Sequence, residues 1–395
     1  MASVGKREWT HEGVKKVAWV VRYTDQGGKR RLKTCDSKKS ADKERLRIEK
    51  EIEAEGHTPD AETLSFREAA DIWLKDCERR NKIGDKMGTS TFKNYERNLK
   101  SKVNPAIGNI LISRLGSQHV QAMLDALSLK YKPNTLKHPY IVVQQVLQFA
   151  RRKKWTKRDP LAEEPVRLPR TVARVPIPSI ADLENLLAAS EQRGHAEREL
   201  TRLQKSAVIA IGVFAGMRRG EMAGLQWQFV DFTRNEIRVR HSLSQYDGLK
   251  DPKSTAGNRN VPMSAIVRQR LLALHRHMDG PREGFVFMGR DGRHLDAIGL
   301  YCERFLKAMK VAGLLKDDGK PKFTLHALRH AAASLLIAEG LSPMHIMRIM
   351  GHAEIGTTMN IYGHLFPEDV AAKNSIDAIG SRFGATSQRQ DTLSH

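Results

Sequence analysis

Apolar and polar residues change their spacing several times along this chain of 395 residues. The run Val-Ala-Trp-Val-Val-Arg-Tyr from Val17 to Tyr23 is rich in β-branched and aromatic residues. Asp25-Gln26-Gly27-Gly28 is a turn, and Lys29 to Thr34 reads as a returning strand. Ser40 to Glu55 is highly charged, with Leu46 and Ile52 among few apolar positions, and predicts a helix. Gly56-His57-Thr58-Pro59-Asp60 is a linker. Ser65 and Glu68 then have the spacing of a capping box, and Phe66, Ala69, Ala70, Trp73, Leu74 and Cys77 recur at helical spacing. More helices are predicted over about 89–101, about 118–128 behind an N-cap at Ser117, and about 134–153 behind Asn134. No strand pattern interrupts them.

Residues 159–178 hold five prolines and predict an extended linker, because repeated proline prevents a helix from continuing. Ser179 caps a new helix, and a second mainly helical segment runs to about residue 380. Inside it Asn235 to His241 alternates like a strand, and Leu249 to Met263 reads as a hairpin turning near Ala256-Gly257-Asn258. The pattern predicts a multidomain, mainly α architecture. A small β-sheet plus helix module covers 1–55, an all-α domain 64–158 and the Pro-rich linker 159–178. A mainly α domain with a small antiparallel sheet covers 179–380, and 381–395 is a polar, flexible tail.

Charge narrows the function. The chain carries 67 Lys+Arg against 45 Asp+Glu, a net charge of +22. The first 50 residues hold 15 basic and 7 acidic residues, so about +8 of that sits in the β module. A balance this basic attracts a polyanion and makes its binding depend on salt. Arg22, Lys29, Arg31 and Lys33 on the small sheet are candidates to face phosphates or bases. The other reading is a solvated sheet face. Arg151-Arg152-Lys153-Lys154-Trp155, a basic run beside an aromatic at the end of a helix, is a second candidate contact. Cys35, Cys77 and Cys302 are far apart and follow no metal spacing, which points to a reducing cytoplasm without disulfides. No membrane-spanning run and no signal peptide is expected.

Four patterns in the 179–380 region carry chemistry. In Ala215-Gly216-Met217-Arg218-Arg219-Gly220-Glu221 an apolar helix breaks at Gly216, Arg218 starts the next helix, and Glu221 can reach the same face. By itself this is also the pattern of a helix-start ion pair. Lys253 on the hairpin can reach into a groove or donate a proton. In His326-Ala327-Leu328-Arg329-His330, His326 and Arg329 share a helix face; His exchanges protons near neutrality and Arg grips two phosphate oxygens. The i, i+4 pair His326 and His330 also fits zinc, but Ala327 stands where a metalloprotease has Glu and no third ligand is evident. Finally a helix from Ser342-Pro343 stops at Gly351, His352 sits at its exit, and Thr357-Thr358 precede a short helix with Tyr362. A lone Tyr is more often a packing residue.

Taken in order, Gly-x-Arg-x-x-Glu, the hairpin Lys, His-x-x-Arg, Gly-His and Tyr resemble the tyrosine recombinase (phage integrase) family, over most of the chain. Residues 179–380 resemble its catalytic domain, 64–158 its helical (SAM-like) core-binding domain, and 1–55 the arm-site-binding domain of the larger integrases. By position, Arg218, Lys253, His326, Arg329 and His352 match the phosphate-activating set and Tyr362 the nucleophile. Glu221 matches the supporting acid, and His330, Leu328 and Leu365 also match family positions.

The resemblance implies a site-specific DNA recombinase that cleaves and rejoins strands through a 3′-phosphotyrosine, integrating or excising a mobile element such as a prophage or genomic island. Arg218 and Arg329 would hold the non-bridging oxygens, and His326 would assist proton transfer from Tyr362. His352 would hydrogen-bond the phosphate or orient the Tyr, and Lys253 would protonate the departing 5′-oxygen. Bond energy is kept in the phosphotyrosine link, so no cofactor and no metal is expected. The implied partners are double-stranded DNA attachment sites, a homotetramer on DNA, a host DNA-bending protein and a directionality factor. The implied location is a prokaryotic cytoplasm, at the nucleoid. A type IB topoisomerase, a non-enzymatic DNA-binding protein and a zinc hydrolase are the alternatives.

Overall fold

The computed structural model describes residues 2–12, 14–25, 28–53, 59, 63–85, 87–169, 176–195, 197–252 and 255–366. The chain divides into two compact units, Met1–Val172 and Ala173–His395.

The first unit opens with an antiparallel sheet, β1 (Ser3–His11), β2 (Val14–Thr24) and β3 (Arg30–Cys35), in that order. β1 has few apolar residues and no alternation, so nothing in its own sequence marks it. It forms along the whole edge of β2, from Ser3 opposite Arg22 to His11 opposite Val14. α1 (Lys38–Glu53) covers one face, burying Ala41 and Ile48 with Val21, Tyr23 and Cys35. Register decides where the basic side chains go. Arg31 lies opposite Tyr23 and Lys33 opposite Val21, on the side that α1 covers. Arg31 donates to Asp25 at 2.7 Å and Lys33 pairs with Glu44 of α1. Arg22 falls on the other face, and both it and Lys29 are exposed. The expectation that all four point outward toward a nucleic acid is therefore corrected: ion pairs hold Arg31 and Lys33.

The helices follow: α2 (Phe66–Lys82), α3 (Thr89–Asn98), α4 (Asn104–Ile107), α5 (Ser117–Ser128), α6 (Pro133–Arg152) and α7 (Pro160–Glu163). The Ser65–Glu68 capping box forms, with the Glu68 carboxylate accepting the Ser65 N–H at 2.8 Å and the Ser65 hydroxyl accepting the Glu68 N–H at 3.3 Å. Phe66, Ala69, Ala70, Trp73 and Cys77 of α2 meet Val142, Val143, Val146 and Leu147 of α6 in one core. Each large side chain fully buried there contributes roughly 1.5–3 kcal/mol. Local ends differ from expectation. α3 passes into a π-helical turn over Leu99–Val103. α5 begins at Ser117, and its preceding Gly116 N–H is taken by the His119 ring at 3.0 Å. α6 starts one residue before Asn134, at Pro133, whose missing N–H costs nothing there. In the Pro-rich stretch, α7 buries Leu161, and Val166 and Leu168 pack on the same core.

The second unit holds α8 (Ile180–Glu191), α9 (Glu199–Ala210), α10 (Arg219–Ala223), β4 (Val230–Asp231), β5 (Glu236–Val239), β6 (Ser242–Ser244), β7 (Gly248–Lys250) and β8 (Arg259–Pro262). Then come α11 (Ala265–His277), α12 (Ala297–Leu300), α13 (Leu306–Val311), α14 (Leu325–Ala338), α15 (Pro343–Met350) and α16 (Ile355–Tyr362). Ser179 caps α8, its hydroxyl accepting the Asp182 N–H at 3.2 Å. The segment 249–263 is not a hairpin. β7 pairs with β6, whereas β8 pairs with β5 in a sheet ordered β4-β5-β8. Thr357 and Thr358 lie inside α16 rather than before it. The tail 381–395, and all residues from 367 on, lie outside the described residues. Among the described residues no helix is long and apolar enough to cross a membrane.

Replacing Ser65 by Ala removes the acceptor that caps α2, which should cost about 1 kcal/mol. Urea unfolding followed by tryptophan fluorescence should show it; an unchanged midpoint would mean the cap adds nothing to the first unit.

Candidate active site

The site is organised by how one helix ends. α15 stops at Gly351, which takes the left-handed conformation at φ 65°. The Gly351 N–H bonds back to Arg348 O at 3.2 Å and the His352 N–H to Met347 O at 3.1 Å, a Schellman ending. The next three carbonyls are each taken by a different arginine. Arg259 Nε donates to Ile349 O at 2.6 Å, Arg329 Nη2 donates to Met350 O, and Arg218 Nη2 donates to Gly351 O at 2.8 Å. A helix C-terminus is the negative end of its dipole, so cations settle there.

Each arginine reaches that end from a different element. Arg218 is the N-cap of α10, just after a π-helical turn over Ile211–Ala215 and Gly216. Gly216 is left-handed at φ 56°, and a Cβ there would meet Ala332 Cβ at 3.1 Å and Met350 Sδ at 3.0 Å. Its carbonyl accepts Arg329 Nη1 at 2.6 Å, which ties α14 to the α10 start. Arg259 enters from β8, at an inward register position beside the buried Val261.

Glu221 sits among them, only 3% exposed. Its Oε1 accepts Arg218 Nη1 at 2.7 Å and Arg259 Nη1 at 3.1 Å; its Oε2 accepts the Arg218 N–H at 2.8 Å and Arg259 Nη2 at 2.9 Å. Burial pushes its carboxyl up, but Arg259 and Arg218 outweigh that and hold it below the usual range. It is a buried carboxylate kept ionised by a guanidinium fork. Arg329, 2% exposed, is pushed down to about 9 by burial and by Arg218. It remains charged at neutral pH.

The expected His–Tyr relationship changes. Tyr362 lies 1% exposed, its ring packed with Ala333, Ile337, Ile346 and Met350. Its hydroxyl stands 2.6 Å from His330 Nδ1. His326, which the sequence favours as the Tyr partner, is instead exposed on α14 and meets His330 edge to face at 4.8 Å. Four residues turn a side chain by a net of about 40° and advance it about 6 Å along the helix, so 326 and 330 share a stripe and His330 is the one that meets Tyr362. His352 Nδ1 contacts the buried Thr358 hydroxyl at 2.8 Å. The protein packed around its ring comes first and the arginine charges second in lowering His326, although the residue as a whole is exposed; burial, Arg329 and Arg218 bring His352 to about 4. Burial, then His326 and Arg329, brings His330 to about 4 as well. Burial raises Tyr362 to about 12, with Arg329 opposing.

The structure thus brings Arg218, Glu221, Arg329 and His352 to one helix end and His330 to Tyr362. Lys253 lies outside the described residues. Arg259 and Thr358 escape the sequence reading; an arginine at an inward position of a β-strand is the signal that marks Arg259. Among the described residues no group of three or more His, Cys, Asp or Glu could hold a metal ion. In the first unit, Arg151 pairs with Asp159 at 2.6 Å, while exposed Arg152 and Lys153 lie over the Phe149 ring at 5.8 and 5.5 Å.

Known proteins fit this arrangement. The phage integrase family model matches residues 181–369, and the phage integrase central domain model residues 66–164. A tyrosine recombinase XerC-like protein of Caldanaerobacter subterraneus subsp. tengcongensis is 24% identical over 357 residues, covering 83% of this chain and 86% of the relative. The ICEBs1 integrase of Bacillus subtilis is 30% identical over 164 residues, 40% of this chain and 44% of that one. The Tn1549 transposon integrase, solved in complex with transposon right end DNA, superimposes with a TM-score of 0.63 at 20% identity, covering 80% of this chain and 100% of that chain. A lambda integrase tetramer bound to a Holliday junction gives 0.55 at 16% identity, covering 85% and 93%. At these identities the structural likeness shows a shared fold. The two family models between them span most of the chain and include every site residue described above, so the chain belongs to the phage integrase family, the tyrosine recombinases.

Proposed function

We propose that this chain is a site-specific recombinase that integrates or excises a mobile element by cutting and rejoining DNA through a phosphodiester link to Tyr362. The observation that carries the reading is the pairing of a buried anion grip with a phenol held at 2.6 Å from an imidazole. Arg218 and Arg329 each use two N–H groups on protein acceptors and keep others of their five for the non-bridging oxygens. Glu221 and the α15 carbonyls fix both guanidiniums, so little reorganisation is left for the transition state. His352, braced by Thr358, is placed to donate its other ring N–H to the phosphate.

His330 replaces His326 as the acceptor of the Tyr362 proton. By itself this transfer is far uphill, from a phenol near 12 to an imidazole near 4. Burial depresses His330 first, then His326, and Arg329 last, so a bound phosphodiester would offset only the arginine part; the proton moves in step with the O–P bond, whose formation acidifies the phenol. The Tyr362 oxygen bonds to phosphorus, the bond to the 5′-oxygen breaks, and Lys253 supplies the proton that makes it a 5′-hydroxyl. A positioned acid or base of this kind contributes roughly 10²–10⁴-fold. Attack by a 5′-hydroxyl from the other duplex reverses the steps and exchanges strands. Two duplexes require four cleavages, so the working form is a homotetramer on paired attachment sites. A host DNA-bending protein and a directionality factor would set the direction. In the proposed division of labour, residues 1–55 bind arm sites, 64–158 core sites with Arg152 and Lys153 against phosphates, and 179–380 perform the chemistry.

Tyr362→Phe should keep DNA binding and lose the covalent adduct on a nicked suicide substrate; an adduct formed by that variant would remove Tyr362 from the role. The pH dependence of stability is a second check. His330 and His352 bind protons only near 4 when folded but near 6.5 when unfolded, so protons favour the unfolded chain. Their contribution is complete above pH 6.5 and is lost as pH falls toward 4. The Tm should drop between about pH 6.5 and 4.5, and the His330→Asn, His352→Asn double variant should flatten the drop. A wild-type Tm that ignores pH across that window would contradict the burial of two neutral imidazoles.

A further inference from the structure

Arg259 is the site's least expected member. It comes from a strand, is 8% exposed, and makes four hydrogen bonds: two to the Glu221 carboxylate, one to Ile349 O and one to Gly257 O. The inference builds on the recombinase reading above. We propose that Arg259 is a positioning residue for the phosphate grip: it neutralises Glu221 so that the charge of Arg218 stays available to the scissile phosphate.

Glu221 accepts from two guanidiniums, but unequally. Arg259 meets it as a fork, Nη1 to Oε1 and Nη2 to Oε2, at 3.1 and 2.9 Å. Arg218 meets it with one side-chain N–H and its backbone N–H, at 2.7 and 2.8 Å. A fork-to-fork pair is the stronger and more directional of the two. With Arg259 in place, Arg218 is half turned outward, its side chain 40% exposed against 6% for Arg259 and 3% for Glu221. Without Arg259, the buried carboxylate would keep Arg218 as the one guanidinium hydrogen-bonded to it among the described residues. The stronger pull would draw Arg218 into the fork and away from the ligand, and would cancel its charge there. Arg259 also fixes the α15 end from below. A Cβ on Gly351 would sit 2.9 Å from Arg259 Cδ and Nη1, so the arginine side chain lies directly under the residue whose carbonyl Arg218 holds. Both effects act through Arg218, which is why Arg259 is a positioning residue and not a group that touches DNA.

A neutral phosphate tests this. Replacing one non-bridging oxygen of the scissile phosphate by a methyl group removes the negative charge that Arg218 is there to hold. Strand cleavage by the full chain is measured on suicide substrates with the ordinary phosphate and with the methylphosphonate. Arg259→Met should slow cleavage of the ordinary substrate by roughly 10²-fold, the size expected when a catalytic group is displaced by about 1 Å. On the methylphosphonate the variant's defect relative to wild type should shrink to less than about tenfold. Arg259→Lys keeps the charge without the fork and should fall between wild type and Arg259→Met on the ordinary substrate. An equal defect on both substrates would overturn the proposal, since a merely loosened fold penalises both alike. Wild-type cleavage rates in the variants would overturn it too. So would loss of the far-ultraviolet circular dichroism signal in both variants, which would make Arg259 a residue of the fold alone. Those failures are distinct from failure of the recombinase reading, in which the wild-type chain itself forms no adduct through Tyr362.

Discussion

Three guanidiniums gathered on one helix end, with one buried carboxylate among them, constrain everything else in the second unit. Arg218, Arg259 and Arg329 would repel one another in so small a volume, and in a medium of low effective dielectric that repulsion is not screened away. Glu221 cancels one charge, and the carbonyls of Ile349, Met350 and Gly351 absorb part of the rest. A positive excess remains. It adds to burial in the neighbours: burial first and arginine charge second push Arg329 down to about 9 and lower His326 and His352. A positive excess of this kind favours a bound anion.

The same ending places Tyr362, the nucleophile of the proposed reaction. Because α15 stops in a Schellman turn, the chain reverses directly into His352 and α16, and α16 packs Tyr362 against α14. The phenol is thus tied to the phosphate grip through the backbone that the arginines hold. Its burial and high pKa keep it protonated until a substrate alters the field. Restraint of the nucleophile and retention of the anion grip follow from one arrangement.

Much of this was legible in the residues. The helical periodicity of α2, the Ser65–Glu68 box, the Pro-rich break and the glycine stops at 216 and 351 rest on local chemistry, and local chemistry is written in sequence. β1 was not, because a charged strand is recruited by its neighbour's edge. The 249–263 segment was misread because each half pairs with a partner distant from the other half, which spacing cannot reveal. The exchange of His326 for His330 beside Tyr362 depends on where α16 lands, and Arg259 depends on the register of β5 with β8. Likewise the sequence places Arg31 and Lys33 among basic residues, but only strand pairing shows that they turn inward to Asp25 and Glu44.

In the proposed reaction the phenolic oxygen of the buried Tyr362 is the atom that carries DNA. The most direct measurement traps the wild-type chain on a nicked suicide substrate, digests the adduct and locates the nucleotide-bearing residue by mass spectrometry. The account predicts a phosphodiester link on the peptide containing Tyr362, with the DNA attached by its 3′-phosphate and a free 5′-hydroxyl released. A link on any other residue, or a 5′-phosphate attachment, would contradict it.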